Sequence, residues 1–233
     1  MAAPPDAVPP DAVPPGTAPP DTAPPGTAPL LIACALGIEH LALRLGERGG
    51  ASGPVTVVRT GMGPRAAERS LGRVLADPAL AGAAVLATGF CAGLAPGMHP
   101  GDLVVAEETR DPRGTVGCVG TEALVKELTR ALPGRRVHTG PLTGSDHVVR
   151  GQERADLAAT GAIAVDMESA ATLLSALRVG VRPLAAVRVV VDAPEHELVR
   201  IGTVRGGISA FRVLRSVLPT FFEWHRNVLL PRR

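Results

Sequence analysis

The sequence predicts an α/β fold: a single domain whose central mixed, largely parallel sheet is flanked by helices. Short apolar runs alternate with segments of helical periodicity, which is the rhythm of consecutive βαβ units. The run at 184–191 contains no polar residue except Arg188, as expected for a strand covered on both faces. The chain of 233 residues is long enough for one such domain with a sizeable core.

The predicted elements follow one another in a regular order. Apolar runs that predict strands lie at 30–36, 55–58, 83–87, 103–106, 163–165 and 184–191. Helical patterns lie at 39–45, 65–75, 121–132, 153–159 and 167–177. A last helical stripe at 207–230 contains Pro219, and we expect the helix to break there because proline disrupts a helix interior.

Residues 1–29 are predicted to lie outside this domain, which then spans 30–233. They repeat a five-residue pattern that begins with Pro-Pro. Such a segment buries little apolar surface, so we expect a disordered, solvated tail. It has neither the basic n-region nor the apolar h-region of a secretory signal.

The composition excludes several classes of function. The net charge is +2, with 24 basic and 22 acidic residues, and no basic cluster is interleaved with aromatic residues, so we expect no nucleic acid partner. Three scattered cysteines and six histidines show no metal-binding spacing, which predicts no metal, no disulfide framework and a cytoplasmic protein. No apolar run reaches the roughly 18 residues that span a bilayer.

Two acidic residues stand where α/β folds build functional sites. A short strand runs into Asp166, a good N-cap residue, which places Glu168 in the first turn of the next helix. Asp192 follows the run at 184–191 and therefore lies at the carboxyl end of a strand. Each has a structural alternative, because Glu168 could simply complement a helix dipole and Asp192 could be a turn residue before Pro194.

At these residues the chain resembles the superfamily of nucleoside phosphorylases and methylthioadenosine/S-adenosylhomocysteine nucleosidases. The resemblance rests on Met167-Glu168 at a helix start and on the Arg-x-x-x-Asp strand end from Arg188 to Asp192. It continues in order through 33–39, 60–63, the glycine-rich turn at 88–94 and the Gly-Asp-x-Val-Val strand at 101–105. Segments 35–39 and 160–169 most resemble the hopanoid-associated branch.

The resemblance implies cleavage of the N-glycosidic bond of an adenine nucleoside, a reaction that needs an acid at the leaving base and anionic groups at the ribose. Asp192 would donate a proton toward the purine N7, and Glu39 would orient the attacking water. Glu168 would accept hydrogen bonds from the ribose hydroxyls, and Met167 would pack against the sugar. Glu39 could instead be an exposed residue of the first helix.

Further residues are expected to shape the pocket. Gly61 and Gly63 permit a tight turn that offers backbone N–H groups to a ligand, although a Gly-x-Gly is often only a turn. Gly89 would let the chain pass close to the ligand. Phe90 is expected to give the pocket an apolar wall, and so is Val148, which stands where the family commonly stacks the purine on phenylalanine.

A departure from the family pattern bears on the acceptor. Phosphorylases of the superfamily place an arginine before the glycine-rich turn and a hydroxyl after its first glycine, and those positions are Ala87 and Phe90 here. Arg65 is the candidate replacement for binding phosphate, although an arginine at a helix start is more often solvated. Water and phosphate both stay open as acceptors.

The expected activity is release of adenine by an enzyme of the nucleosidase or phosphorylase kind that uses no cofactor. The hopanoid branch implies adenosylhopane, an adenosyl group on an apolar tail, as substrate. The alternatives are a general methylthioadenosine/S-adenosylhomocysteine nucleosidase and a non-catalytic nucleoside-binding regulator. The family also implies a homo-oligomer, here expected to be a homodimer, and Arg188 is expected to pair with a buried carboxylate such as Asp166.

The carboxyl-terminal segment holds most of the aromatic residues, namely Phe211, Phe221, Phe222 and Trp224. Because cationic residues follow them, one interpretation is peripheral contact with the inner membrane surface, where a lipid-tailed substrate would be found. The other is a terminal helix that covers the core or a subunit interface.

Overall fold

A computed structural model describes residues 28–193 and 202–229, and the side chains of 202–207 are not part of that description. The described strands are β1 (Leu30–Cys34), β2 (Val55–Arg59), β3 (Ala84–Gly93), β4 (Leu103–Asp111), β5 (Gly114–Gly117), β6 (Val137–Gly144), β7 (Ala164–Asp166) and β8 (Leu184–Asp192). The described helices are α1 (Gly37–Arg44), α2 (Pro64–Val74), α3 (Thr121–Ala131), α4 (Gln152–Ala159), α5 (Ser169–Val179), α6 (Gly202–Ser216) and α7 (Leu218–Leu229). The predicted tail at 1–29 falls outside the described residues except for its last two positions.

The strands form one mixed sheet in which parallel pairs predominate. Strand β1 pairs in parallel with β2 and β3, β3 with β8, and β6 with both β4 and β7. The antiparallel pairs are β3 with β7, and β4 with β5 and β8. Strands β3, β8, β4, β6 and β7 therefore close into a ring, with β1, β2 and β5 extending from it. The predicted fold class is confirmed, although the sequence pattern did not predict the closure.

Both faces of the sheet are buried. Along β1 the side chains alternate, with Leu30 and Ile32 packed in one apolar cluster and Leu31 and Ala33 in another. Helices α1, α3, α6 and α7 cover the first cluster, and α2 and α5 cover the second. This two-sided burial explains why the strands read as continuous apolar runs.

Some element boundaries differ from the prediction. Strand β3 continues six residues beyond Ala87 through its glycine-rich half, and β4 likewise extends to Asp111. Strands β5 and β6 were not predicted, because glycine and proline make up much of Gly114–Gly117 and of 140–144. The terminal break occurs at Val217, and Pro219 lies in the first turn of α7, where proline is tolerated.

The aromatic residues of the terminal segment belong to the core. Phe221, Phe222 and Trp224 are at most 2% exposed, and the Trp224 indole N–H donates a hydrogen bond to the Val119 carbonyl at 2.8 Å. These rings pack in the apolar cluster under α1, α3 and α6, so the structure favours the interpretation of a terminal helix that covers the core and gives no support to membrane contact through the rings. Among the described helices, none combines the length and apolar character of a membrane span.

Candidate active site

A cavity of about 230 Å³ opens at the carboxyl ends of β1 and β8, beside the end of β7. Its lining residues are Ala35, Leu36, Glu39, Met62, Phe90, Cys91, Ala92, His147, Val148, Val149, Val165, Asp166, Met167, Glu168, Val191 and Asp192. Strands β1, β3 and β8 are parallel neighbours, so the residues that follow them meet at one edge of the sheet. The fold thus brings together Glu39, Glu168 and Asp192, which are far apart in the sequence.

Glu39 projects from the first turn of α1 and is 2% exposed. Its Oε2 accepts hydrogen bonds from the backbone N–H groups of Ala35 and Leu36, both at 2.8 Å. Its Oε1 accepts one from the N–H of Phe90 at 2.7 Å. The alternative of an exposed helix residue is therefore wrong: Glu39 holds the β1–α1 turn against β3, and its carboxylate borders the cavity.

Glu168 is the N-cap residue of α5 rather than a member of its first turn. The carboxylate that caps the helix belongs to Asp166, which accepts hydrogen bonds from the Ser169 N–H at 3.1 and 3.2 Å. The Glu168 Oε1 instead accepts a hydrogen bond at 2.7 Å from the N–H of Gly63, in the loop after β2. Glu168 therefore serves the cavity and not its own helix dipole.

Burial raises the pKa of Glu168 from its ordinary value of 4.5 to about 7, while the nearby Arg188 guanidinium opposes the rise. The folded protein therefore binds a proton at this side chain more tightly than the unfolded chain does. At neutral pH both the protonated and the ionised form are populated, so the site is sensitive to pH in the physiological range.

This pKa predicts a difference between the wild type and Glu168→Gln that depends on pH. Between pH 4.5 and 7 the Glu168 carboxyl is ionised in the unfolded chain but still largely protonated in the folded protein. The contribution of this side chain to the stability of the wild type therefore falls as the pH rises, whereas glutamine does not ionise and its contribution stays constant. We expect the stability of the variant relative to the wild type to rise by about 1 to 3 kcal/mol between pH 5 and 8. Urea unfolding at both pH values measures this, and a constant difference would contradict the raised pKa.

Asp192 ends β8 just after an irregularity in its pairing with β3. Cys91 pairs with Val190 and Ala92 pairs with Asp192, so Val191 is an extra residue on the β8 side. The Asp192 Oδ2 lies 3.0 Å from Nη1 of Arg154, which belongs to α4. This ion pair is largely buried, with side-chain exposures of 8% for the arginine and 14% for the aspartate. The turn alternative for Asp192 involves Pro194, which lies outside the described residues.

The prediction that Arg188 pairs with a buried carboxylate is confirmed. Its Nη2 lies 2.6 Å from Oδ2 of Asp166, and both side chains are 1% exposed. Its Nε donates to the Ser169 hydroxyl and its Nη1 to the Thr88 carbonyl, both at 2.8 Å. The guanidinium thus joins β8 to β3, β7 and α5 behind the cavity.

Gly89 is required sterically at the centre of this arrangement. Its φ is +133°, and an added Cβ would lie 2.5 Å from Oε1 of Glu39 and 2.6 Å from Nη1 of Arg188. Any side chain would therefore have to displace one of these two groups. The backbone at Gly89 therefore passes close to the Glu39 carboxylate and the Arg188 guanidinium.

The loop after β6 supplies the apolar side of the cavity. Val148 is 61% exposed and lines the cavity, as does the partly buried Phe90 of β3. His147 is tied at both ring nitrogens, with Nδ1 2.7 Å from Oδ1 of Asp146 and Nε2 3.0 Å from Oε2 of Glu153. These hydrogen bonds raise the pKa of His147. The lining of the cavity thus combines carboxylates with apolar side chains.

The two glycines of the loop after β2 and Arg65 have different placements. Gly61 and Gly63 both have positive φ, at +84° and +88°, and Met62 between them lines the cavity. Arg65 is exposed at the start of α2 and lines a neighbouring cavity of about 390 Å³ instead. Met167 borders both cavities, so Arg65 is adjacent to the carboxylate cavity but not part of it.

Two features of the cavity bear on other kinds of chemistry. Cys91 lines the cavity, yet burial raises the pKa of its thiol far above neutral, so it is not poised as a thiolate nucleophile. Among residues 28–193 and 202–229, no group of three or more histidine, cysteine or acidic side chains is arranged to hold a metal ion.

Sequence reasoning placed His147 near the pocket without a role, and it missed Leu36 as a lining residue and Arg154 as a partner of Asp192. Arg154 is the third residue of α4, and nothing in its flanking pattern distinguishes it from a solvated helix arginine. Its contact with Asp192 depends on where α4 packs, which no local signal encodes.

Comparisons with known proteins agree with the fold. The sequence profile described as the phosphorylase superfamily matches residues 40–218. No curated protein sequence matches the chain. One similar solved structure is a 5′-methylthioadenosine/S-adenosylhomocysteine nucleosidase from Neisseria meningitidis with methylthio-immucillin-A, which is 18% identical over 87% of this chain and 100% of that chain, with a TM-score of 0.68. Another is an S-adenosylhomocysteine nucleosidase from Streptococcus pyogenes with 5-methylthiotubericidin, which is 19% identical over 84% of this chain and 98% of that chain, with a TM-score of 0.67. A third is a 5′-methylthioadenosine/S-adenosylhomocysteine nucleosidase from S. pneumoniae with a transition-state inhibitor, which is 21% identical over 84% of this chain and 98% of that chain, with a TM-score of 0.65.

Proposed function

The chain belongs to the phosphorylase superfamily, and from this membership and the geometry of its carboxylate cavity we propose that it cleaves the N-glycosidic bond of an adenine nucleoside and releases adenine. The prediction of an enzyme of the nucleosidase or phosphorylase kind is confirmed at the level of the family. The observation that carries the proposal is the meeting of Glu39, Glu168 and Asp192 on one cavity, from three separate elements.

The three carboxylates suit the three tasks of the reaction. Asp192 is the acid that protonates N7 of the purine, so that the electron pair of the C1′–N9 bond leaves with a neutral base. Glu168 accepts hydrogen bonds from the ribose hydroxyls, and its negative charge stabilises the oxocarbenium-like sugar. Glu39, held by three backbone N–H groups, orients the attacking water.

An apolar 5′ substituent fits the open side of the cavity. Met62 and Val148 line the cavity and are 66% and 61% exposed, and Leu36 and Val149 also line it. Exposed apolar side chains at the mouth of a pocket favour an apolar ligand group over a charged one. We therefore propose an adenosyl group on a large apolar tail, of the adenosylhopane kind, as the preferred substrate.

Water is the proposed acceptor. Ala87 is fully buried and Phe90 is apolar, so neither offers a cationic or hydroxyl group to a phosphate ion at the glycine-rich turn. Arg65, the candidate replacement, lines the neighbouring cavity and not the one with the carboxylates. The protein is also proposed to work in the cytoplasm as a homodimer, as is usual in the family.

A general methylthioadenosine/S-adenosylhomocysteine nucleosidase is the second candidate. It is favoured by the solved structures similar to this chain, which bear that name and were determined with nucleoside analogues. A non-catalytic nucleoside-binding regulator is less well supported, because a pure binding protein does not need an acid at the leaving base.

The test is adenine release from a panel of nucleosides with and without phosphate. The panel comprises adenosine, methylthioadenosine, S-adenosylhomocysteine and a 5′-deoxyadenosine with a long 5′-alkyl chain. We expect the alkyl compound to have the highest kcat/KM and free ribosyl product to form at the same rate without phosphate. A preference for methylthioadenosine supports the second candidate, strict phosphate dependence reverses the choice of water, and release from no member contradicts the proposed function.

A further inference from the structure

We propose that Arg154 is a positioning residue for the acid Asp192, holding its carboxylate in place and stabilising the negative charge that it acquires when its proton passes to the leaving base. This inference rests on the proposed function. Arg154 lies on α4 and is not itself a lining residue of the cavity, so it reaches the site through its contact with Asp192.

The contacts of Arg154 join two strand ends. Its Nη1 lies 3.0 Å from Oδ2 of Asp192 at the end of β8, and its Nη2 donates to the carbonyl of Gly93, the last residue of β3, at 2.8 Å. A guanidinium is planar and presents its donors in a fixed fork. One hydrogen bond to the backbone therefore fixes the direction from which the other reaches Asp192.

The position of Arg154 is itself well determined. Arg154 is only 7% exposed, so its contact with Asp192 is largely buried. A buried ion pair is stable only when its geometry is good. Helix α4 is anchored to the cavity loop next to it through Glu153, which lies 3.0 Å from His147. Arg154 thus links the start of α4 to the ends of β3 and β8 beside the Asp192 carboxylate.

The contact changes during the reaction in a way that favours catalysis. Donation to N7 requires the protonated form of Asp192, in which the contact with Arg154 is a hydrogen bond to a charged donor rather than the ion pair of the resting structure. As the proton moves to N7 and the C1′–N9 electron pair moves into the base, Asp192 becomes a carboxylate and the contact becomes an ion pair. The interaction is stronger at the transition state than before it, which is the condition for lowering the barrier.

The discriminating variable is the leaving group. Adenine needs a proton to leave, whereas 4-nitrophenolate does not. Removing a residue that acts through Asp192 should therefore slow cleavage of an adenine nucleoside far more than cleavage of 4-nitrophenyl riboside. We expect Arg154→Met to lower kcat for adenine release by roughly 10- to 100-fold, less than the roughly 10²- to 10⁴-fold for the acid itself. Cleavage of 4-nitrophenyl riboside should fall less than about 3-fold, and Arg154→Lys should recover part of the loss because it keeps the charge.

Two further variants sharpen the test. Arg150→Met is the matched control, because Arg150 is exposed four residues before Arg154, and it should match the wild type on both substrates. Arg154→Met combined with Asp192→Asn should be no slower than Asp192→Asn alone, since the arginine acts through the aspartate. Equal losses on both substrates, or additive losses in the double variant, would overturn the inference and make Arg154 a structural anchor of α4.

Adenine binding separates this inference from the proposed reaction. By calorimetry, Arg154→Met and Asp192→Asn should weaken adenine binding by similar factors, because the carboxyl that holds N7 is lost or misplaced in each. If the wild type releases no adenine but both variants bind adenine more weakly by similar factors, the proposed reaction is contradicted and the positioning role of Arg154 stands. If Asp192→Asn loses both adenine release and adenine binding while Arg154→Met loses neither, the proposed reaction stands and the inference about Arg154 is overturned.

Discussion

Replacing Asp192 with asparagine is expected to lower adenine release by roughly 10²- to 10⁴-fold, the range for loss of a general acid. The side chain lies at the end of β8 on the cavity wall, and in the proposed reaction its proton passes to the purine as the base leaves. Asparagine has the same shape and its carbonyl oxygen can still accept a hydrogen bond from Arg154, so the fold should be preserved. Steady-state release of adenine, measured from the proposed substrates, gives the factor.

The control for this variant is Asp156→Asn, which changes an exposed aspartate on α4. It should leave both the rate and the thermal unfolding unchanged, whereas Asp192→Asn should unfold at a lower temperature because the buried Arg154 loses its charged partner. Turnover of Asp192→Asn close to that of the wild type would remove Asp192 from the mechanism and leave the cavity without its acid.

Arg188→Met is expected to reduce the free energy of unfolding by about 3 to 5 kcal/mol, the cost of leaving one partner of a buried ion pair without the other. Arg188 and Asp166 are each 1% exposed, and the arginine also binds the Ser169 hydroxyl and the Thr88 carbonyl. Removing it strands the Asp166 carboxylate in the core. Urea denaturation measures the change.

Arg178→Met is the matched control for this loss of stability. The Arg178 guanidinium lies 2.9 Å from Glu68, but the side chains are 55% and 41% exposed. Water screens such a pair, so this variant should lose only about 0 to 1 kcal/mol. Similar losses in both arginine variants would show that the buried pair contributes no more than a surface pair.

The sequence predicted the strands whose buried side chains form a continuous apolar run. Strands β1 and β8 are buried on both faces, and their apolar runs mark them within one or two residues. The second half of β3 is also a strand, but Gly89 and Gly93 interrupt its apolar pattern, because a Cβ at Gly89 would clash with Glu39 and Arg188 and one at Gly93 with Met98. The ring of strands depends on pairings between distant segments, which no local pattern encodes.

The candidate site was predictable to the same extent. Residues that end strands or begin helices, such as Glu168 and Asp192, stand out because the elements beside them are regular. Arg188 was predictable as a partner of a carboxylate, since a lone charge in an apolar strand must be paired. Arg154 and Arg65 sit in equivalent first turns of helices, and only the packing of α4 and α2 places one against the acid and the other in the neighbouring cavity.

The central claim is that the cavity holds an adenine nucleoside between its three carboxylates. The most direct test is a crystal structure of the protein with 9-deazaadenosine, whose carbon–carbon glycosidic bond cannot be cleaved. We predict the base within hydrogen-bond distance of Asp192, the ribose hydroxyls against Glu168 and the anomeric carbon facing Glu39. A nucleoside bound in the neighbouring cavity beside Arg65, or with its ribose away from Glu168, would contradict the account.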